Sequence, residues 1–227
     1  MRLLVWNRLL SKVHNDYKRL RSQLFYLFLF LTIDSLMAKL YFRYGAMNAG
    51  KSTALMQVAY NYEERGMQVL ILKPATDSKG ASVVSRILER KVDAFIEKGE
   101  RIDAILDRIS EQGKYACILV DEVQFLEEAQ IDQLFEIAIL RDIPVICYGL
   151  RTDFLLQTFP ASGRLLALAH SIEELKTICR CGRKAVCNLR LIDKPVFTGA
   201  QVAIDGSGDI RYESVCKCFF KLKEQYA

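Results

Sequence analysis

The stretch Gly45-Ala-Met-Asn-Ala-Gly-Lys-Ser52 constrains this chain more than any other. It fits G-x-x-x-x-G-K-[S/T], a pattern that requires a strand before it and a helix after it. Both are legible. Leu40-Tyr-Phe-Arg-Tyr44 is a short apolar and aromatic run that reads as a strand. Residues 51–64 read as a helix with Leu55, Val58, Ala59 and Tyr62 on one face, closed by Gly66. Glycine lets such a loop curl so that successive N–H groups converge on phosphate oxygens, and the helix N-terminus adds partial positive charge. Lys51 supplies a full charge at the β- and γ-phosphates, and the Ser52 hydroxyl suits Mg²⁺. Gly45, Ala46, Met47, Asn48, Ala49, Gly50, Lys51 and Ser52 are therefore the expected triphosphate cradle.

The elements that follow keep the same alternation. Val69-Leu-Ile-Leu72 is a buried strand closed by Pro74, and residues 75–90 read as a polar mobile loop. Residues 102–109 are helical by spacing, and Ala116-Cys-Ile-Leu-Val120 is the continuous apolar run of a central parallel strand. A helix over 127–140, a strand over 144–148 and a helix over 161–170 complete an α/β domain with a parallel sheet. From Cys179 onward the chain changes to short β-like runs between cysteines.

The central strand runs directly into Asp121-Glu122. In phosphate-loop proteins a carboxylate at the end of a neighbouring strand holds Mg²⁺, which suits Asp121. Glu122 is placed to take a proton from a substrate hydroxyl or to orient a water. A strand cap leading into a surface turn is the structural alternative. There is no N-K-x-D element, so guanine-specific signalling is not expected.

Seven cysteines are present, four of them in two C-x-C pairs, Cys179/Cys181 and Cys216/Cys218. Two close pairs clasping a β-rich segment suggest a structural zinc site, with ordinary cysteines on a small β subdomain as the alternative. Cys187 is a substitute ligand, whereas Cys117 and Cys147 fall in buried strands and read as packing residues. His170 reads as a helix-end or core residue, with no Ser/His/Asp arrangement around it.

Residues 1–36 stand apart, with six basic residues against two acidic, +4 of the chain's net +5. Little excess remains for a basic stripe on the folded domain, so no nucleic-acid partner is expected. The apolar block Leu24-Phe-Tyr-Leu-Phe-Leu-Phe-Leu31 is shorter than a membrane span, and no small-x-small cleavage site follows it. The first reading is an extension upstream of a functional start at Met37; the second is an amphipathic helix touching a membrane.

Five segments in order resemble one family: the phosphate loop, Asp121-Glu-Val-Gln-Phe125, Tyr148-Gly-Leu-Arg-Thr-Asp-Phe154, Leu175-Lys-Thr-Ile-Cys-Arg-Cys-Gly-Arg-Lys-Ala185 and Arg211-Tyr-Glu-Ser-Val-Cys216. Over about residues 37–220 the chain resembles thymidine kinase of the type II class, found in bacteria and in animal cytosol. The resemblance implies transfer of the ATP γ-phosphoryl to the 5′-hydroxyl of thymidine, a RecA-like α/β domain over 37–175, a zinc-bearing β domain with a lasso loop over 176–227, and cytoplasmic homotetramers without a membrane partner. Glu122 matches the catalytic base, and Asp121, Glu122, Val123 and Gln124 match the second segment of the nucleotide site. Phe154 matches an aromatic residue beside the thymine, with Met47, Phe125 and Leu150 as further walls and Val202, Ile204, Gly206 and Tyr212 as lasso contacts.

The sequence departs from the family in three places. Thr76-Asp-Ser-Lys-Gly80 stands where the family carries Asp-x-Arg, leaving Lys79 or Arg86 in the arginine's place. Extra residues lie around 205–210. The spacing-matched fourth zinc ligand is Phe219, so Cys218 must serve one position early or the site is incomplete. A phosphate-loop ATPase without a small-molecule acceptor, or a catalytically decayed zinc-scaffolded module, are the rival readings.

Overall fold

The computed structural model describes residues 37–75, 82–84, 89–109, 114–201 and 210–226. The readings of residues 1–36, of 76–80 and Arg86, and of Val202, Ile204 and Gly206 lie outside the described residues.

Strand β1 (Leu40–Tyr44) leads through the phosphate loop into helix α1 (Lys51–Glu63) and then β2 (Val69–Pro74). Two short strands follow, β3 (Ser82–Val84) and β4 (Glu89–Lys91), paired antiparallel, within the segment expected to be a loop. Next come β5 (Ala94–Ile96), α2 (Ile102–Ile109), β6 (Cys117–Val120), a 3₁₀ turn (Val123–Phe125), α3 (Glu128–Leu140), β7 (Val145–Gly149), α4 (Pro160–Leu168) and β8 (Ser171–Glu174). Strands β9 (Cys187–Ile192), β10 (Lys194–Val196) and β11 (Arg211–Val215) precede the final helix α5 (Cys218–Tyr226).

The main sheet has six strands in the order β5-β2-β6-β7-β1-β8, and every pairing is parallel. This bears out the α/β phosphate-loop fold. It also corrects one detail, because β6 does not neighbour β1; β7 lies between them. Strands β5 and β8 were not legible. The first has three residues, and the second, Ser-Ile-Glu-Glu, is a largely exposed edge with no apolar pattern.

Alternation along the strands sorts the core onto two faces. Leu40, Phe42, Leu70, Leu72, Ile118, Val120, Val145 and Cys147 face α2, α3 and α4. Val69, Ile71, Cys117, Leu119, Ile146 and Tyr148 face Leu55, Met56 and Ala59 of α1. Both sides are covered, so the strands read as unbroken apolar runs. His170 confirms its helix-end reading. Its Nδ1 accepts the Leu40 N–H at 3.0 Å and its ring stacks on Phe135.

The small sheet has the order β10-β9-β11, all antiparallel. Its inner face packs Cys187, Leu189 and Val215 with Ala185 and Phe219. Phe219 is 2% exposed and meets Phe197 edge-on at 5.4 Å. The position three after Cys216 therefore belongs to the core of the small sheet.

Candidate active site

Adjacent registers fix where the functional residues lie. Tyr44 pairs with Gly149, Cys147 with Val120, and Val120 with Leu72. The phosphate loop, Asp121-Glu122 and the Leu150–Phe154 segment thus leave the same carboxyl edge of one sheet, where ligands of open parallel sheets bind. The loop and the acidic pair are two strand spacings apart, about 10 Å.

The phosphate loop needs its glycines for different reasons. A Cβ on Gly45 would lie 2.5 Å from the Leu175 carbonyl oxygen and 2.8 Å from the Ala49 Cβ. Gly50 is the N-cap of α1 with φ +76°, a left-handed conformation that glycine adopts without penalty. Asn48 shares that region at φ +59°. The first helical bond runs from the Ala54 N–H to the Gly50 oxygen at 2.9 Å, so the amides of Ser52 and Thr53 precede any intrahelical acceptor. Lys51 is 9% exposed, and its Nζ donates to the Gly45 and Ala46 carbonyls at 3.2 and 3.1 Å. The loop is shaped as an anion cradle, with its cation folded back against its own backbone.

Met47 departs from the expected cradle. Its N–H donates to Asn188 Oδ1 at 2.8 Å, and its carbonyl accepts from the Ser214 hydroxyl. That amide is bonded to the small sheet.

Asp121 is 3% exposed, and its Oδ1 meets no hydrogen-bond donor. Burial, and then the adjacent Glu122 carboxylate, push its pKa up to about 7, with Lys73 and Lys51 pulling the other way. A buried carboxylate oxygen without a donor, at the phosphate end of the sheet, suits a divalent cation. The Ser52 hydroxyl, at the start of α1, is the other donor the sequence anticipates.

Glu122 is half-buried at φ +49°. Gln124 determines where its carboxylate points. The Gln124 Nε2 donates to Glu122 Oε2 at 2.6 Å, while its Oε1 accepts the Leu150 N–H at 3.0 Å. Gln124 is 2% exposed, and a Cβ on Gly149 would come 2.5 Å from its Oε1. Val123 is fully buried in the main core. Gln124, expected at the nucleotide, thus has its side chain wedged between the acidic turn and β7.

Among the expected pocket walls, Phe125 is half-buried and stands edge-on to Phe159 at 6.1 Å. Leu150 is 6% exposed and Phe154 is 1% exposed. Asp153 shapes the turn presenting Phe154, its Oδ1 accepting the N–H groups of Leu155 and Gln157 at 2.8 Å each. Above Phe154 sits Arg190, a residue the sequence reading missed. Its guanidinium lies 3.6 Å from the ring centroid and donates to Tyr212 Oη (3.0 Å), the Ala200 carbonyl (2.9 Å) and the Gln201 carbonyl (3.1 Å). The signal was present: Asn188 and Arg190 are polar residues at i and i+2 of an otherwise apolar strand, a second functional face.

The four cysteines converge. The Sγ atoms of Cys179, Cys181, Cys216 and Cys218 all lie within 4.8 Å of one another, and none forms a disulfide. Measured pairs are Cys181–Cys216 at 3.4 Å, Cys216–Cys218 at 3.3 Å and Cys218–Cys181 at 3.7 Å. Tetrahedral thiolates around zinc stand about 3.8 Å apart, so these residues fit the ion. Cys218 supplies the fourth thiol of the cluster. Cys187 is outside the cluster, its thiol turned to the Val215 carbonyl at 3.4 Å.

The sequence comparisons point to one family. The sequence model of the family described as Thymidine kinase matches residues 38–220. Thymidine kinase of Legionella pneumophila (strain Paris) is 46% identical over 193 residues, covering 83% of this chain and 91% of that protein. Thymidine kinase of Mannheimia succiniciproducens is 48% identical over 192 residues, covering 82% and 97%. That of Pasteurella multocida is 47% identical over 192 residues, covering 82% and 98%. Among solved structures, the X-ray structure of the Legionella pneumophila ATPase DotB aligns with a TM-score of 0.37 at 15% identity, covering 65% of this chain and 44% of that one.

Proposed function

The chain belongs to the thymidine kinase family, and on that premise we propose that it transfers the γ-phosphoryl of ATP to the 5′-hydroxyl of thymidine, forming dTMP and ADP. The observation that carries the mechanism is the common edge of the main sheet, where an anion cradle and an oriented carboxylate leave strands separated only by β7.

Glu122 accepts the proton of the 5′-hydroxyl as that oxygen forms its bond to the γ-phosphorus and the bond to the β,γ-bridging oxygen breaks. Gln124 holds the carboxylate in place through the 2.6 Å bond. The loop amides and Lys51 neutralise charge on the phosphates, Lys51 exchanging its carbonyl partners for phosphate oxygens. Catalysis of this kind is mostly positioning and electrostatics. Mg²⁺, held by Asp121 and Ser52, would supply charge neutralisation across the phosphates. Zinc at Cys179, Cys181, Cys216 and Cys218 would be structural, because four thiolates leave no open position.

For the thymine we propose walls from Phe125, Leu150, Phe154 and Tyr212, with Val202, Ile204 and Gly206 as the contacts that the family resemblance adds. Thymine O2, N3–H and O4 need only donors and an acceptor at fixed spacing, which backbone groups supply. A homotetramer and a cytoplasmic location follow from family membership alone and belong to the same proposal.

The test is transfer of label from γ-labelled ATP to each of the four deoxynucleosides. Label is expected in dTMP, with little ATP consumed when thymidine is omitted. ATP consumption that ignores thymidine would overturn the proposal.

A further inference from the structure

The small sheet has a second face, and it points at the phosphate loop. Cys187, Leu189 and Val215 face the cysteine-lined core. The intervening residues Asn188, Arg190, Tyr212 and Ser214 project the other way. They form two cross-strand pairs, Asn188 opposite Ser214 and Arg190 opposite Tyr212. The first pair is buried, at 4% and 6% exposure.

We propose that Asn188 and Ser214 are positioning residues for the phosphate loop, clamping the Met47 peptide so that nucleotide affinity depends on the small sheet. The two side chains take opposite ends of one residue: Asn188 Oδ1 accepts the Met47 N–H at 2.8 Å, and the Ser214 hydroxyl donates to the Met47 carbonyl. A residue bonded at both its N–H and its C=O cannot turn about its own axis. The next residue, Asn48, holds φ +59°, and the Thr177 hydroxyl donates to its carbonyl at 3.3 Å. A left-handed non-glycine residue in an anion cradle relaxes unless its neighbours hold it. Within the loop itself, the Ala49 N–H donates to the Ala46 oxygen at 3.2 Å. The clamp is in turn anchored by the cysteine cluster, since Ser214 lies two residues before Cys216 and Asn188 seven after Cys181.

This inference rests on the reading of residues 45–52 as the ATP cradle, so it is tested by nucleotide binding without nucleoside. Mg-ATP affinity of the full chain is measured by calorimetry for the wild type, Asn188→Ala, Ser214→Ala and Ser214→Thr, with thermal unfolding and zinc content as controls. Losing one such bond from a binding loop is expected to weaken Mg-ATP roughly five- to thirty-fold. The KM for thymidine should rise less than the ATP constant. Ser214→Thr, which keeps the hydroxyl on a strand that favours β-branching, should recover most of the affinity. Folded alanine variants with unchanged Mg-ATP affinity, or with equal losses for both substrates, would overturn the clamp. If Asn188→Ala does not fold, the two Ser214 variants decide. A wild type that binds Mg-ATP but phosphorylates no nucleoside refutes the kinase proposal and leaves the clamp standing; one that binds no Mg-ATP refutes both.

Discussion

Glu122 pays a conformational cost to be where it is. Its φ of +49° is left-handed, which costs a non-glycine residue about 1–2 kcal/mol. The return is a carboxylate turned toward the carboxyl edge of the sheet and gripped by Gln124. Replacing Glu122 with Gln keeps the shape and removes the proposed base. Turnover should fall by roughly 10²–10⁴-fold with Mg-ATP binding retained, measured by steady-state kinetics and calorimetry side by side. Gly149 tests the grip from behind. Gly149→Ala places a Cβ 2.5 Å from the Gln124 Oε1 and must displace that amide. Turnover is expected to fall about ten-fold or more while both KM values move little, because a displaced base is a transition-state loss. Unchanged turnover in a folded Gly149→Ala protein would remove Gln124 from the mechanism.

At the scale of elements, two buried polar side chains hold segments that the backbone ladder leaves untied. Helix α3 begins with a reciprocal cap between Glu127 and Gln130. The Gln130 amide also donates to the Glu97 and Glu100 carbonyls at 2.8 and 3.0 Å, tying the turn after β5 to the helix start. Gln130→Ala removes the cap and strands two carbonyls, so urea unfolding should show a loss of about 1–3 kcal/mol with activity per folded molecule preserved. Arg190 does the equivalent work for the small sheet. It is 4% exposed and joins Phe154, Tyr212 and the carbonyls of Ala200 and Gln201. Methionine at this position keeps the volume and loses the bonds. Arg190→Met should raise the thymidine KM by roughly ten-fold or more and leave Mg-ATP affinity close to wild type, since the fork touches the proposed base pocket and not the loop at Met47. A larger effect on ATP than on thymidine would contradict that division between the two cross-strand pairs.

The whole molecule depends on a small unit with a thin apolar core; among the described residues its seven buried members include three cysteines. Such a core is marginal without a metal staple. Cys181→Ser removes one of the four thiols, on the exposed side of the cluster. The variant is expected to lose bound zinc by elemental analysis and to unfold the small sheet at lower temperature. Mg-ATP affinity should fall with it, because the Met47 clamp is carried by the same strands. Retained zinc at wild-type stoichiometry would mean that Cys187 or another group substitutes, against its placement beside Val215.

The sequence by itself determined the alternating strands and helices, the phosphate loop, the acidic pair and the cysteine pairs. Each of these is set locally: by unbroken apolar runs, by glycines whose backbone conformations other residues resist, and by ligand spacing along the chain. It did not reveal that β7 separates the loop strand from the acidic strand, because strand order is a matter of crossover connections. It missed β8, a polar edge whose only signal is its pairing with β1. It left the fourth thiolate open between Cys218 and an incomplete site, since the geometry of a turn after a strand decides whether one position early is close enough. Above all it missed the second face of the small sheet. Tyr212 was expected as a base contact, but Asn188, Arg190 and Ser214 have no assigned role until antiparallel register sets the pairs opposite each other and the fold lays that face against the loop. Only tertiary structure could decide that, because the hydrogen bond from Met47 to Asn188 joins residues 141 positions apart.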